Sequence, residues 1–440
     1  MKFSRSSQLV LVAAASLVAA SLITACETLT VDFVYVVSAK AAGSNSYGVI
    51  DVFEINSESG RMRQIPTSPF PSEGRNPVAE AVSTDNQNLF VVNQDDNTIV
   101  QFIIGSDGKL YPINTVNTPG IYPLAITASK SYVFVVDTYQ PLALCSTADP
   151  CSGSIAVYPL TAGNSSSCAA SVCLGTAVTN TATGTQYWPL TLTSAPSDII
   201  APTAVSVITW TLNSETATYL YVTAHDTTAN TGYVFGFSVG SGGVLTALPG
   251  SPFAAGTNPS AVASSTVTTT VGSETVISEY IYATDYNNSD VIGYQSASTT
   301  DPNGNTIPTG VLGPLPGSPF QAGNQPSAVV VDPSYPFAYV ANSLDSTVTA
   351  YSMSSGALTS IGTYATGLQP VAIGIDPSTN HFLYTANFNP GGTYGTVSGF
   401  ELSTTAGTLL ESQYSPYAAS AEPVAVAAVP HNGTGAGVQK

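Results

Sequence analysis

Gln325-Pro-Ser-Ala-Val-Val-Val-Asp332, Phe337-Ala-Tyr-Val-Ala-Asn342, Ser346-Thr-Val-Thr-Ala-Tyr351 and Gly356-Ala-Leu-Thr359 are consecutive short runs of one stretch. Each is rich in β-branched, aromatic or alternating residues, and Pro, Asn, Asp or Gly punctuates between them. Successive side chains of a strand point to opposite faces, so runs of this length and composition read as strands joined by tight turns. The stretch therefore predicts four short strands.

Working outward, the first run recurs after Pro77, Pro123, Pro202, Pro259, Pro326, Pro370 and Pro423. The second residue beyond each proline is alanine: Ala79, Ala125, Ala204, Ala261, Ala328, Ala372 and Ala425. The third run recurs equally often, as a β-branched residue followed three positions later by an aromatic. The pairs are Ile50/Phe53, Ile99/Phe102, Ile155/Tyr158, Val234/Phe237, Val291/Tyr294, Val348/Tyr351 and Val397/Phe400. An odd spacing puts the two on opposite faces. A unit apolar on both faces must be covered on both, as a propeller blade is by its neighbours. The alanine suits the place where blades converge on the axis and space is least.

The chain opens with a second-type strand, Phe33 to Ser38, and closes with a spare first-type strand, Pro423-Val-Ala-Val-Ala-Ala-Val429. The expectation is an all-β chain, a single seven-bladed β-propeller over residues 33–430. Its C-terminal strand should pair into the N-terminal blade, which leaves no open edge. The longest proline-to-proline interval, Pro123 to Pro202, carries a cysteine-bearing insertion at about 140–187. Residues 264–279 and 296–310 are smaller polar insertions, and insertions map to loops, where binding usually lives. Thr67-Ser-Pro-Phe70, Gly250-Ser-Pro-Phe253 and Gly317-Ser-Pro-Phe320 also repeat. Their phenylalanines read as plugs in the seams between blades, or alternatively as an aromatic ligand platform.

The second run carries a resemblance. Leu220-Tyr-Val-Thr-Ala224, Ile281-Tyr-Ala-Thr-Asp285, Ala338-Tyr-Val-Ala-Asn342 and Leu383-Tyr-Thr-Ala-Asn387 resemble the YVTN-type repeat. Val34-Tyr-Val-Val37, Leu89-Phe-Val-Val-Asn93 and Val133-Phe-Val-Val-Asp137 are degenerate versions. Such repeats belong to lactonase-like seven-bladed propellers, the superfamily that includes bacterial phosphogluconolactonase. The resemblance covers residues 31–430 and implies lactone hydrolysis at one mouth of the central channel.

Residues 1–25 read as a signal peptide, with Lys2 and Arg5 before an apolar run, Leu9 to Leu22, too short to span a membrane comfortably. Ile23-Thr24-Ala25-Cys26 resembles a bacterial lipobox, which implies cleavage before Cys26 and acylation of its thiol. Residues 26–32 would be the anchor and a short linker, and residues 431–440 a flexible tail. The expected location is outside the cytoplasm, with the chain either held at the cell envelope, with membrane contact only through the lipid, or secreted. Cys145, Cys151, Cys168 and Cys173 lie in one stretch of an exported chain and read as two disulfides. The local pairs Cys145–Cys151 and Cys168–Cys173 are favoured, with a zinc site as the rival.

Net charge is −18, and no arginine follows Arg75. Lys109 and Lys130 are the only lysines between Arg75 and Lys440. Such a surface repels nucleic acid and phosphorylated ligands, which argues against nucleic-acid binding and against the anionic substrate that the resemblance implies.

Lactone opening needs a base for water and a donor set for the oxyanion. The candidates are few. Glu80 stands where the other units have Ile126, Val205, Val262, Val329, Ile373 and Val426. A carboxyl in an apolar slot should have a raised pKa or a partner, so Glu80 reads as a channel-facing acid or base, or as a strand-end residue reaching solvent or bonded to backbone. His225 and Asp226 follow a second-type strand at or beside the place that other units fill with Asn or Asp; they read as a catalytic pair or as a turn cap. His381 reads as a turn residue, and His431 lies in the tail. Asp285 and Asp290, in Asp285-Tyr-Asn-Asn-Ser-Asp290, could ligate a divalent cation but also suit a hairpin turn. No other cofactor is expected. The functional expectation is a non-catalytic binding, interaction or structural module meeting protein or glycan at the cell envelope. The alternative is a lactonase-like hydrolase for an uncharged lactone.

Overall fold

The computed structural model describes residues 30–39, 47–164, 168–376 and 382–431. Residues 1–25, read above as a signal peptide, together with Cys26 and His381, lie outside these residues. The chain folds into seven sheets, antiparallel apart from one parallel bridge in blade five, Val276↔Thr306, arranged as a seven-bladed propeller. The first strands are Pro77–Val82, Ile121–Ala128, Ile200–Leu212, Pro259–Val271, Pro326–Val331, Pro370–Ile375 and Pro423–Pro430, in blades two to seven and then one. Each touches the first strand of the blade on either side, so together they encircle the axis. Pro423–Pro430 pairs with Thr30–Ser38, from Asp32↔Pro430 to Ser38↔Pro423, and the C-terminus thus closes blade one.

The core is divided among seven hydrophobic clusters, one at each seam between blades. The β-branched/aromatic pairs explain why. Ile99 packs into the seam of blades two and three, and Phe102 into that of blades one and two. Val348 and Tyr351 likewise divide between the two seams of blade six. One strand therefore fastens two interfaces, and full burial of each such side chain contributes roughly 2 kcal/mol.

Two devices lock the seams. Tyr35, Tyr221, Tyr282 and Tyr339, from second strands, each donate their hydroxyl to a glycine carbonyl of the following blade. The acceptors are Gly108 (3.1 Å), Gly310 (2.8 Å), Gly356 (2.7 Å) and Gly407 (3.1 Å). Gly356 has φ +82°, and a Cβ there would meet the Tyr280 ring at 2.3 Å, so no other residue fits. Tyr351 of the third strand reaches the opposite way, donating to Gln321 O of blade five at 2.7 Å.

The Ser-Pro-Phe segments are a second device. Ser68, Ser251 and Ser318 each accept a hydrogen bond from a third-strand amide, those of Val52, Gly236 and Gly293. The phenylalanines then pair with the same strand as short outer segments and pack at the seams. Ser415-Pro416-Tyr417 does the same in blade seven, with tyrosine in place of phenylalanine.

Both favoured disulfides are present, Cys145–Cys151 with Cα atoms 5.4 Å apart and Cys168–Cys173 at 6.1 Å. The first closes the loop between the second and third strands of blade three. The second lies within the fourth strand, Cys168–Leu174, whose pairing register breaks between Cys168 and Val172, so part of the 140–187 stretch belongs to the blade itself. Insertion 264–279 is likewise strand rather than loop. It lengthens the first and second strands of blade five into a hairpin that overhangs the end opposite the prolines. Its Thr- and Val-rich composition suits continued pairing. Among the described residues no helix is long and apolar enough to cross a membrane.

Candidate functional site

The prolines of the first strands gather at one end of the channel, the proline end. Every Pro-x-Ala strand carries a register shift between the proline and the alanine. The x residue is the extra residue of a β-bulge, freed from the ladder and able to re-aim its side chain. These residues are Val78, Leu124, Thr203, Ser260, Ser327, Val371 and Val424, and each remains partly exposed. The ring is neutral, with four aliphatic and three hydroxyl side chains. Its hydroxyls are engaged: Ser260 donates to Pro326 O at 2.6 Å, Ser327 to Pro370 O at 2.7 Å, and Thr203 to Thr223 Oγ1 at 2.9 Å.

Opposite each proline lies a residue at or near the end of a second strand: Ser38, Asn93, Asp137, Ala224, Asp285, Asn342 or Asn387, all fully buried. Several serve the loops directly. Asn342 accepts from Gly323 N–H (3.0 Å) and donates to Thr347 and Thr349. Asp285 accepts from Thr257 N–H (2.7 Å), Asn258 N–H (3.1 Å), Asn287 N–H (3.1 Å) and Asn288 Nδ2 (2.7 Å). Its neighbour Asp290, directly across the strands, is raised to about 6 by burial and by the charge of Asp285. The structure thus brings Asp285 and Asp290 together, with the oxygens of Asp285 committed to N–H donors. Among the described residues no three acidic, His or Cys side chains gather as a metal site.

His225 and Asp226 lie beside this ring, because Ala224 holds blade four's place in it. His225 Nδ1 is 2.7 Å from Thr257 O, so that nitrogen carries the proton and donates it. Asp226 accepts from Thr228 and Ala229 N–H, both at 2.9 Å, as a turn cap does. Asp198 lies against it, and burial with this like charge raises the Asp198 carboxyl. Glu80 is two blades away. Its carboxyl oxygens are inaccessible at the seam of blades one and two and make no well-formed hydrogen bond. Burial pushes the carboxyl well up, with only the Ala427 main chain lowering the cost. The structure does not bring Glu80 and His225 together. Arg75, at the same end, is tied to Asp96 through its Nε at 2.7 Å and its own N–H at 2.7 Å. His431 packs its ring against Phe33, with centroids 5.4 Å apart.

Two buried carboxyls escaped the sequence reading as chemically unusual groups. Asp137, in the ring of strand ends, is raised to about 8 by burial, as is Glu279 in the seam of blades four and five. Glu279 has no hydrogen-bond partner, and the Thr118 hydroxyl and Gly120 N–H beside Asp137 only partly offset its burial. A signal for Glu279 existed: Ile277, Glu279, Ile281 and Ala283 alternate along one strand face, so the glutamate interrupts an apolar row.

Away from the channel, a cleft of about 550 Å³ opens between blade five's overhanging hairpin and the base of blade six. A smaller one, of about 260 Å³, is lined by Arg61, Arg63 and Glu54 at the outer side of blade one. There Arg63 is paired with Glu54, and Arg61 sits 4.9 Å over the Tyr414 ring.

No curated protein sequence matches the chain. The family model described as "Lactonase, 7-bladed beta-propeller" matches residues 278–428, about a third of the chain. Among solved structures the chain is similar to a candidate 6-phosphogluconolactonase of Bacteroides fragilis, with TM-score 0.64, 17% identity, and 92% of this chain and 99% of that one covered. It is similar to another from Bacteroides uniformis, with TM-score 0.61, 16% identity and 90% and 99% covered. It is also similar to the periplasmic gluconolactonase of Pseudomonas aeruginosa, with TM-score 0.59, 16% identity and 90% and 99% covered. At these identities the likeness is one of fold. The chain is a seven-bladed β-propeller that carries, over residues 278–428, the sequence pattern of the lactonase propellers.

Proposed function

We propose that this chain is an extracytoplasmic propeller, held at the cell envelope through an acylated Cys26, that works as a non-catalytic binding module for protein or glycan. The observation that carries this reading is the proline-end mouth. Its bulged ring is neutral and its hydroxyls are engaged, its one arginine among the described residues is paired, and the ionisable candidates Glu80 and His225 sit in separate blades. Purified protein offered a panel of γ- and δ-lactones, phosphorylated and not, should show no turnover above the uncatalysed rate. Turnover lost in His225→Ala or Glu80→Gln would overturn the reading.

The second reading is a hydrolase for an uncharged lactone, of the kind named in the Pseudomonas protein. Two observations favour it: the lactonase model over residues 278–428, and the Asp198/Asp226 pair beside His225. Among the described residues the mouth offers no unpaired cation for a phosphate, so a non-phosphorylated substrate is the form to test first.

A further inference from the structure

We infer that the cleft between blade five's overhang and blade six's base is a binding site for an uncharged polyhydroxy ligand, a segment of neutral glycan. This rests on the binding reading above and names where and what the module binds.

The overhang is built for a wall. The first strand of blade five, Pro259–Val271, has 13 residues, whereas its counterpart in blade six, Pro326–Val331, has 6. Residues directly opposite in an antiparallel pair share a face. Ser265 faces Tyr280, and Val267 faces Ser278, so these four and Thr269 belong to one face, and all five line the cleft. The other face of the hairpin, with Ile277, packs on blade four. Blade six supplies the floor through Ser334, Tyr335, Met353 and Ser355.

The lining chemistry selects the ligand. No lysine or arginine lines the cleft, so an anion would find no countercharge. Its one carboxyl, Asp332, accepts the Ser334 and Tyr335 N–H groups at 2.8 and 3.0 Å, as a turn cap does. What remains is many hydroxyls and a few apolar surfaces, with Val267 at 39% and Tyr335 at 36% exposure. Serine and threonine hydroxyls both donate and accept, which matches a ligand whose own groups are hydroxyls. Tyrosine and methionine offer flat or soft surface for its C–H faces. A wholly apolar ligand would strand the hydroxyls. The volume falls within the range of about 300–1,000 Å³ usual for small-molecule sites.

The test is saturation-transfer NMR and calorimetry on the full chain, with neutral tetrasaccharides of glucose, mannose, galactose and N-acetylglucosamine as probes. At least one should bind. Tyr335→Ala, which removes a ring from the floor, and Thr269→Trp, which fills the cleft from the exposed hairpin, should each weaken it about tenfold or more. Leu344→Ala, at the proline end, should leave affinity unchanged. Failure of every probe to bind, or binding that survives both cleft variants in folded protein, overturns the assignment. Saccharide binding that ignores the cleft variants would leave the binding reading standing. Lactone turnover lost with His225 would remove that reading and leave the variants to decide the cleft.

Discussion

Blades three and five are built on one repeat and carry the same residue type opposite the proline of the first strand, yet the two aspartates live in different chemistry. Asp137 and Asp285 both lie opposite the proline of their blade and are both fully buried. Asp285 receives main-chain N–H groups from two loops. Asp137 has only the Thr118 hydroxyl and the Gly120 N–H beside it, and burial outweighs both and raises it to about 8. The loop before each blade makes the difference. Thr257 and Asn258 both bring their N–H groups within hydrogen-bond distance of Asp285, whereas the loop before blade three brings Asp137 a single N–H, that of Gly120, which lies so close that a Cβ there would meet the Asp137 side chain at 2.3 Å. A repeat position therefore places a residue without setting its charge state.

The sharpest way to break this comparison is Asp285→Ala. It should destabilise the protein by about 4 kcal/mol, since several buried N–H groups lose their acceptor at once. A loss under about 1 kcal/mol in denaturant melts would show that water replaces the carboxyl and that the two blades differ little.

Asp137 should behave in the opposite sense. Its folded pKa of about 8 lies above the ordinary carboxyl value, so its stability contribution is fully present below about pH 4. That contribution falls as pH rises and is lost above about pH 8. Glu279, at about 8, and Glu80, raised well above its usual value, add the same slope. The protein should thus be more stable at pH 5 than at pH 8. Asp137→Asn should flatten the curve and stabilise the chain by roughly 2 kcal/mol at pH 8, read as the melting midpoint against pH. A variant curve parallel to the wild type would remove Asp137 from the account.

The smallest effect concerns the seams. Tyr282 of blade five reaches Gly356 O, whereas blade three has Phe134 in the same place. Tyr282→Phe should cost about 1 kcal/mol, the net value of one hydrogen bond. A neutral outcome would mean that ring packing alone holds both seams.

The candidate site was only partly legible. Glu80 stood out because six other units show an apolar residue at its position, and its carboxyl is indeed buried. Its surroundings were not legible, because Ala427 is brought beside it only when the C-terminal strand closes the ring. His225 and Asp226 were recognisable as polar residues at a strand end. That Ala224 and not Asp226 occupies the ring depends on a pairing register that runs two residues further in blade four. The bulge at every x residue left no mark except the Pro-x-Ala spacing itself.

The amino-acid sequence by itself determined the blade count, the closure by residues 423–430 and the division of each third strand between two seams. These follow from strand periodicity and from a repeat that cannot bury both faces alone. The tertiary structure alone decided which carboxyls are bonded and which are stranded, which glycines receive tyrosine hydroxyls, and where a cleft opens beside blade five. Those outcomes depend on loops and on neighbouring blades that meet across long stretches of chain, where no local pattern reaches.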